Sequence, residues 1–583
     1  ITETQHAVFL VSPDSAVNHE NVNNQHFYNT GSVVTKTDST AMFLFLPSKH
    51  RHISITNKGS LTTNGKNTAG IFVNNASGVD LHLNFSDAAS SGVQEKLTTH
   101  TYSSNNSDSN KNIYYNKLTS EFTDKIDARN SSHPLIIYGE SSAGLYLPKK
   151  GSFVTGQFAV DVQTNGNAND NNGSAGIYSA SDIDLQGHYV KLGGSNNVGV
   201  YPVGSDGKPT IVYLGTGSIE IKGENNTGIV VKNKQGRVYS ESEMVLNGGK
   251  ENIAIYAEGH GSNTYDVMVK SIETGTDTQD NVFIFADNSA NVRVGFKTGG
   301  ATPTVAGGLK VKANLSTNPT YTGGGLDSNV GGVYATNNAV VDIRQTGYNF
   351  GNTKAGEYNV DITGKVAANN PNIYGGFGLF AKDGAAIRAD YNKIKTTDTG
   401  VGVAAIGSGS KIDLTKGEVN YAGSGYALYT QGTSDIILND GTLTLGGNAV
   451  GYIKEAGSNG VHMNAGSKID VQSDGVILMD LRVPGPLNST NLDNQFTSGS
   501  GYLSGATITA NSNKYKYKYA VIDGITFNID SDIDKGDSSS TSDGYVFTRR
   551  LLLQNAEINV GAGKNVTANL NTADLTSIGG ANI

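Results

Sequence analysis

Apolar and polar positions follow one another along this chain in short units that return at a nearly constant distance. Each unit opens with a small residue and then two or three apolar or aromatic residues, as in Gly176-Ile177-Tyr178. A polar turn follows, and then strands of about five residues in which apolar and polar side chains alternate, the pattern of half-buried β-strands. The opening phrase recurs at residues 176–178, 199–201, 228–230, 254–256, 332–334, 378–380, 402–404 and 427–429.

The distance between adjacent phrases, 23 to 29 residues, predicts the architecture. A unit of this length cannot bury its apolar face alone, so the units must stack into a solenoid. Three short strands and three turns fill such a coil, whereas a four-stranded propeller blade needs about 40 residues. The sequence therefore predicts an all-β protein, a right-handed parallel β-helix with three-stranded coils of about 22–29 residues and loop insertions. The predicted segments are N-terminal coils or a cap at 1–90, a polar insertion at 91–135, and the main β-helix at 136–583, with insertions near 297–330, 484–500 and 531–545.

Composition narrows the class of protein. The 583 residues include 74 Gly, and only 16% are charged, which is less charge than disordered chains of similar polarity carry. The net charge of −9 argues against nucleic acid as a partner. There is no Cys, which suits export through a periplasm, and no apolar run approaches the roughly 20 residues that a membrane-spanning helix needs. The chain begins at Ile1 without an initiator Met, as expected for a processed product or a fragment.

Over nearly the whole chain, these repeats resemble the passenger domains of bacterial autotransporters (type V secretion). The closest similarity is to the large fusobacterial outer-membrane adhesins, whose passengers repeat phrases such as Gly332-Val333-Tyr334 followed by strands such as residues 466–471. The resemblance implies a β-helix on the bacterial cell surface, or released from it, and anchored by a C-terminal β-barrel translocator that is not in this chain. It also implies partners that are protein or glycan receptors on host cells or other bacteria.

The function predicted from the sequence is therefore adhesion without covalent chemistry, and no cofactor or metal is expected. Two alternatives from other classes stay open. One is a passenger similar to the vacuolating β-helical toxins, which would oligomerise and act on membranes. The other is a β-helix polysaccharide lyase or hydrolase, because pectinolytic enzymes share the fold and need clustered carboxyl groups.

Few residues fit catalytic or metal chemistry. The segment 536–539, Gly-Asp-Ser-Ser, lacks the second Gly of a serine-protease motif, and Gly259-His260-Gly261 matches a polygalacturonase tripeptide without its Asp pairs. His50 and His52 form the one close histidine pair, which is a weak metal site without a neighbouring carboxylate.

Two pairs of aspartates could stack across coils to form acidic sites. Asp182 and Asp184 form the first pair, and Asp413 and Asp470 form the second.

Two patterns suggest binding surfaces. Lys514, Lys516 and Lys518 alternate with Tyr, so a strand would carry the three Lys on one face, either as a solvated face or as a basic stripe for an acidic glycan. The aromatic residues of the phrases should form a stack between coils. We expect this stack to point into the core; pointing outward, it would be a column on which sugar rings could lie. Its members are Tyr178, Tyr201, Tyr256, Tyr334 and Tyr429.

Overall fold

The structure is a computed structural model of the chain. The residues that it describes are 6–11, 24–46, 51–74, 79–85, 133–164, 173–204, 209–232, 236–240, 242–259, 265–269, 271–275, 278–279, 281–295, 310–314, 331–344, 359–367, 370–455, 458–464, 466–472, 477–481, 503–504, 507–510, 520–523, 526–529, 551–554, 557–560 and 575–578. Throughout these residues the regular secondary structure is β-strand.

The first face of the solenoid is a sheet of 15 parallel strands, and each of its strands carries one copy of the sequence phrase or its equivalent. In order along the sheet, these strands are His6–Val11, Thr40–Phe45, Ala69–Val73, Ala143–Leu147, Ala175–Ser179, Val198–Pro202, Thr227–Lys232, Ile253–Glu258, Val282–Asp287, Gly331–Ala335, Phe377–Lys382, Val401–Ile406, Tyr426–Gln431, Val450–Lys454 and Ile477–Leu481.

The second face follows the first along the chain. Its parallel strands are Asn24–Asn29, Arg51–Asn57, Val79–Asn84, the first halves of Phe153–Val162, Asp182–Leu192 and Thr210–Ile221, and then Gly236–Ser240, Tyr265–Met268, Asn291–Gly295, Val340–Asp342, Ala386–Arg388, Lys411–Asp413, Asp435–Ile437 and Gly460–His462.

The third face completes each coil. Its parallel strands are Ser32–Thr35, Ser60–Thr63, Leu135–Ile137, the second halves of the three long strands, and then Glu243–Leu246, Ser271–Thr274, Lys310–Asn314, Val360–Thr363, Lys393–Thr397, Glu418–Gly423, Thr442–Gly447, Lys468–Val471, Thr507–Ala510, Thr526–Ile529 and Glu557–Val560.

Three smaller sheets complete the described strands. They are a parallel pair, an antiparallel pair and a four-stranded parallel sheet: Gly249–Lys250 with Thr278–Gln279; Lys365–Ala367 with Asn370–Gly375; and Leu503–Ser504, Ala520–Asp523, Leu551–Gln554 and Leu575–Ile578. The parallel registers from coil to coil confirm the predicted parallel β-helix.

Two predicted segments can be placed on the faces. The strand within residues 466–471, Lys468–Val471, belongs to the third face, because Gly460–His462 occupies the second. The strand Lys310–Asn314 lies inside the stretch predicted as an insertion near 297–330 and pairs with Val360–Thr363. The other segment boundaries stay predictions.

One apolar core runs along the inside of the three faces. On the first face, the middle residue of each phrase points into it, and Ile177, Val200 and Ile229 are completely buried. The Gly before this residue also faces inward: a Cβ added to Gly176 would lie 3.1 Å from Cγ1 of Val160 and 2.7 Å from the carbonyl oxygen of Gly199. Two consecutive inward positions therefore interrupt the alternation of the strand, and Gly provides the room for them.

A buried polar column closes the corner between the third and first faces. Its members directly precede successive first-face strands, and the backbone N–H of each donates to the side-chain oxygen of the next, at distances of 2.7–3.0 Å. The column satisfies backbone groups that no sheet pairs at this corner, as buried amides require. Its members are Thr68, Ser142, Ser174, Asn197, Asn226, Asn252 and Asn281.

Candidate binding surface

A strip of uncharged residues covers the outer side of six first-face strands, from Ala143–Leu147 to Val282–Asp287. It has two columns, each made by residues that are in register from strand to strand. We call the two columns together the tyrosine strip: Tyr146, Tyr178, Tyr201, Val230, Tyr256 and Phe285 form one column, and Ala143, Ala175, Val198, Thr227, Ile253 and Val282 form the other.

The predicted aromatic stack exists, but the expected orientation into the core is wrong. Tyr178, Tyr201 and Tyr256 are only half-buried, whereas the residue before each of them has no exposed surface. The cause is the small inward residue that opens the phrase, Gly176 or Gly199 in two copies and Ala254 in a third, because two consecutive inward positions turn the third residue to the outside. Outward orientation also holds for Tyr334 and Tyr429, which pack in a separate apolar cluster outside the main core.

The rings of the strip lie against one another. The ring centroids of Tyr146 and Tyr178 are 5.2 Å apart, and those of Tyr178 and Tyr201 are 5.4 Å apart at an interplanar angle of 88°. After Val230, the column resumes with Tyr256 and Phe285, whose centroids are 5.6 Å apart. These are favourable aromatic geometries. Tyr146 and Tyr178 therefore each lie between two rings, because Phe72 is 5.0 Å from Tyr146 on the other side.

The tyrosines of the strip are uncharged, and the charges at its edge are paired. Burial raises the pKa of Tyr146, Tyr178 and Tyr201, so these phenols stay protonated donors at physiological pH. At the edge of the strip, Lys232 and Glu258 form an ion pair of 2.8 Å.

Tyr256 joins that edge pair to the column. Its hydroxyl donates to Oε2 of Glu258 at 3.1 Å, and Nζ of Lys232 lies 5.3 Å from its ring centroid. Burial first, and then Glu258, raises the pKa of Tyr256. The edge charges are thus engaged with each other and with the ring.

The same two columns continue beyond the strip, where they are covered. Leu44 and Phe72 precede it and are 5% and 2% exposed, and Phe380, Ala404 and Ile453 follow it with no exposed surface. They extend the register of the strip. Within the strip, Ala143, Val230 and Val282 are buried too, and the other nine residues are half-buried. The tyrosine strip is therefore the partly exposed middle of a longer apolar stripe.

The acidic pairs predicted from the sequence do not stack. Asp413 lies on the second face in register with Arg388, and Asp470 lies on the third face in register with Thr444. Asp182 and Asp184 lie two positions apart on one strand, so both project from a single coil.

A different acidic cluster occupies the corner after the second-face strands Val340–Asp342 and Lys411–Asp413. Arg344 makes a bidentate contact with the largely buried Asp342, with Nε and Nη2 at 3.0 and 2.7 Å from the two carboxylate oxygens. Asp390 lies beside Asp413, and burial first, then the charge of Asp413, raises the pKa of Asp390 to about 6. Sequence reasoning missed this cluster because its three aspartates, Asp342, Asp390 and Asp413, are 23 to 71 positions apart along the chain.

The contacts of Asp413 are with its own turn. Its Oδ1 accepts hydrogen bonds from the backbone N–H and the hydroxyl of Thr415, at 3.1 and 2.8 Å. Asp342 is likewise held by Arg344, so two of the three carboxylates of the cluster are engaged in fixing the chain at this corner.

Several predicted candidates lie outside the described residues. These are Lys514, Lys516, Lys518, His260, His50 and the segment 536–539. His52 lies in Arg51–Asn57, in register with Asn24 and Asp80. Within the described ranges, no group of three or more His, Asp or Glu side chains could hold a metal ion. The part of the chain with a described structure also has no helix that is long and apolar enough to cross a membrane.

Comparison with known proteins gives no relative. No family model matches the chain, and no curated protein or solved structure is similar to it. The functional conclusion therefore depends on the fold and on the surfaces described above.

Proposed function

We propose that this chain is the passenger of a bacterial autotransporter and acts as an adhesin on the cell surface. It binds receptors on host cells or on other bacteria, either protein or glycan, without covalent chemistry. The observation that supports this proposal is the tyrosine strip, an uncharged and partly exposed surface that spans six coils of the solenoid. Exposed apolar patches rimmed by polar residues are typical of interaction sites.

The charges of the third face favour the first face as the binding surface. Lys191 pairs with Asp161 at 3.1 Å, and Lys393 pairs with Glu418 at 2.9 Å, each across adjacent coils. Each pair neutralises its charges within the third face, so this face offers a partner little uncompensated charge. The tyrosine strip has apolar surface that a partner would remove from water, which is the main source of affinity in protein recognition.

Binding of the purified chain to epithelial-cell monolayers and to bacterial cells tests the proposal. The wild-type chain should bind saturably, and the double variant Tyr178→Ser/Tyr201→Ser should bind about 10–100-fold more weakly, because interfacial tyrosines commonly contribute 1 kcal/mol or more each. A matched control, Lys191→Ser/Lys393→Ser on the third face, should bind as the wild type does. Equal binding by all three proteins would refute the role of the strip.

The same preparation distinguishes the alternatives raised by the sequence. Release of reducing or unsaturated sugar from polyuronates, without cell binding, would move the assignment to a polysaccharide lyase or hydrolase. Dye release from phospholipid vesicles would move it to a membrane-active toxin.

A further inference from the structure

Resting on the proposed adhesin function, we infer that the partner of the tyrosine strip is a protein surface rather than a glycan. We also infer that each contact is weak by itself and that attachment depends on many rods binding together. Four properties of the described residues lead to this inference: the ring geometry, the neutrality of the strip, its continuity with covered positions, and its size.

The ring geometry disfavours sugar stacking. A sugar ring packs on the open face of an aromatic ring, but Tyr146 lies between Phe72 and Tyr178, with ring centroids 5.0 and 5.2 Å away, and Tyr178 lies between Tyr146 and Tyr201. Tyr256 is covered by Phe285 on the column and approached by Nζ of Lys232 at 5.3 Å. The exposed part of these half-buried tyrosines combines apolar area with a polar hydroxyl group, the combination for which Tyr is enriched in protein–protein interfaces.

The neutrality of the strip disfavours acidic glycans. None of its twelve residues is charged, and the edge cation, Lys232, is already paired with Glu258 at 2.8 Å. A polyanion would therefore find no uncompensated positive charge here. A charged group of the partner, buried against this neutral strip, would have no counter-charge, so the strip is complementary to an uncharged partner surface.

The continuity of the strip with covered apolar positions favours an apolar partner surface. At both ends, residues in the register of the strip are covered, with Phe72 only 2% exposed and Phe380 completely buried. The half-buried residues between these ends are the same kinds of apolar and aromatic side chain, and Val230 among them is already buried. A partner that covers the strip would bury its side chains as the chain itself buries the equivalent side chains at both ends.

The size of the strip predicts the strength of binding. Six strands about 4.8 Å apart give a length of about 24 Å, and the two columns are about 10 Å apart, so each partner would bury roughly 300–400 Å². Stable interfaces bury about 800 Å² on each partner, so a single contact belongs to the weak, transient class. Many rods on one cell would act at high effective concentration, and avidity can add a factor of about 10²–10⁴.

The test uses the full chain, both as soluble monomer and coupled at high density to beads. The probes are epithelial monolayers that are untreated, trypsin-treated or periodate-treated, together with immobilised fibronectin, laminin and collagen and a glycan array. Trypsin should reduce binding at least about tenfold, and periodate should leave it within about twofold. Bead coupling should strengthen apparent affinity about 100-fold or more. Raising salt from about 0.05 M to about 0.5 M should change binding less than about twofold, because no charge is engaged.

Variants separate the inference from the proposed function. Tyr178→Ser/Tyr201→Ser should lose most binding, whereas Tyr178→Phe/Tyr201→Phe should keep part of it because the apolar edges remain; circular dichroism checks that each variant folds. Loss with periodate but not with trypsin would overturn the protein partner and leave adhesion standing. Wild-type binding by the Ser variant would overturn the strip as the contact surface. Absence of binding in every arm would refute the adhesin proposal itself.

Discussion

Truncation of Asn226 tests the buried polar column most directly. Oδ1 of Asn226 accepts the backbone N–H of Asn197 at 2.7 Å, and its Nδ2 donates to the carbonyl oxygens of Lys222 and, at 3.2 Å, Gly194. The Gly194 oxygen keeps a second donor, the N–H of Glu224 at 2.9 Å. The variant Asn226→Ala therefore removes the hydrogen-bond partners of one buried N–H, that of Asn197, and one carbonyl, that of Lys222, at the corner.

The expected loss is about 2–4 kcal/mol, because each buried group left without a partner costs about 1–3 kcal/mol. Since coils of a solenoid are stabilised by their neighbours, this defect should lower cooperativity as well as stability. Urea denaturation followed by circular dichroism measures the change, and hydrogen exchange at the Asn197 amide localises it. Asn448→Ala, at an exposed turn position, is the matched control and should stay within about 0.5 kcal/mol. Unchanged exchange at Asn197 would show that the column does not hold this corner.

Two further predictions concern single positions on the faces. Burial raises the pKa of Asp184 from 3.8 to about 7, so the folded state holds a proton that the unfolded state has lost, and stability should fall as pH rises from about 4 to about 7. After a discount for partial exposure, this loss of stability is about 2 kcal/mol. Asp184→Asn should restore the lost stability at pH 8 and have little effect near pH 4. Parallel pH profiles of the urea midpoints of the two proteins would contradict the assignment of the loss to Asp184. Gly378→Ala should destabilise by about 1–3 kcal/mol, because its Cβ would lie 2.6 Å from the carbonyl oxygen of Gly402 and 2.9 Å from Cγ2 of Thr396. Gly31→Ala, whose Cβ has open space, is the control in the same thermal melts, and equal melting temperatures would refute the steric reasoning.

Much of the fold is determined by local sequence. The recurrence of a phrase every 23 to 29 residues and the alternation of the strands determine a parallel three-stranded coil, because no other arrangement buries such short apolar faces. The inward residues of most strands follow from the same alternation, as in Lys411–Asp413, where Ile412 is buried.

Other properties depend on contacts between coils, which local patterns do not contain. Tyr178 points outward because two consecutive residues before it face inward, and at position 176 the carbonyl oxygen of Gly199 in the next coil, 2.7 Å from an added Cβ, leaves room only for Gly. Asp413 meets Asp390 rather than Asp470 because the lengths of the turns decide which face each strand joins. The sequence by itself determined the coil and its period; the tertiary structure decided which side chains of different coils meet, because that depends on the width of the core and the path of each corner.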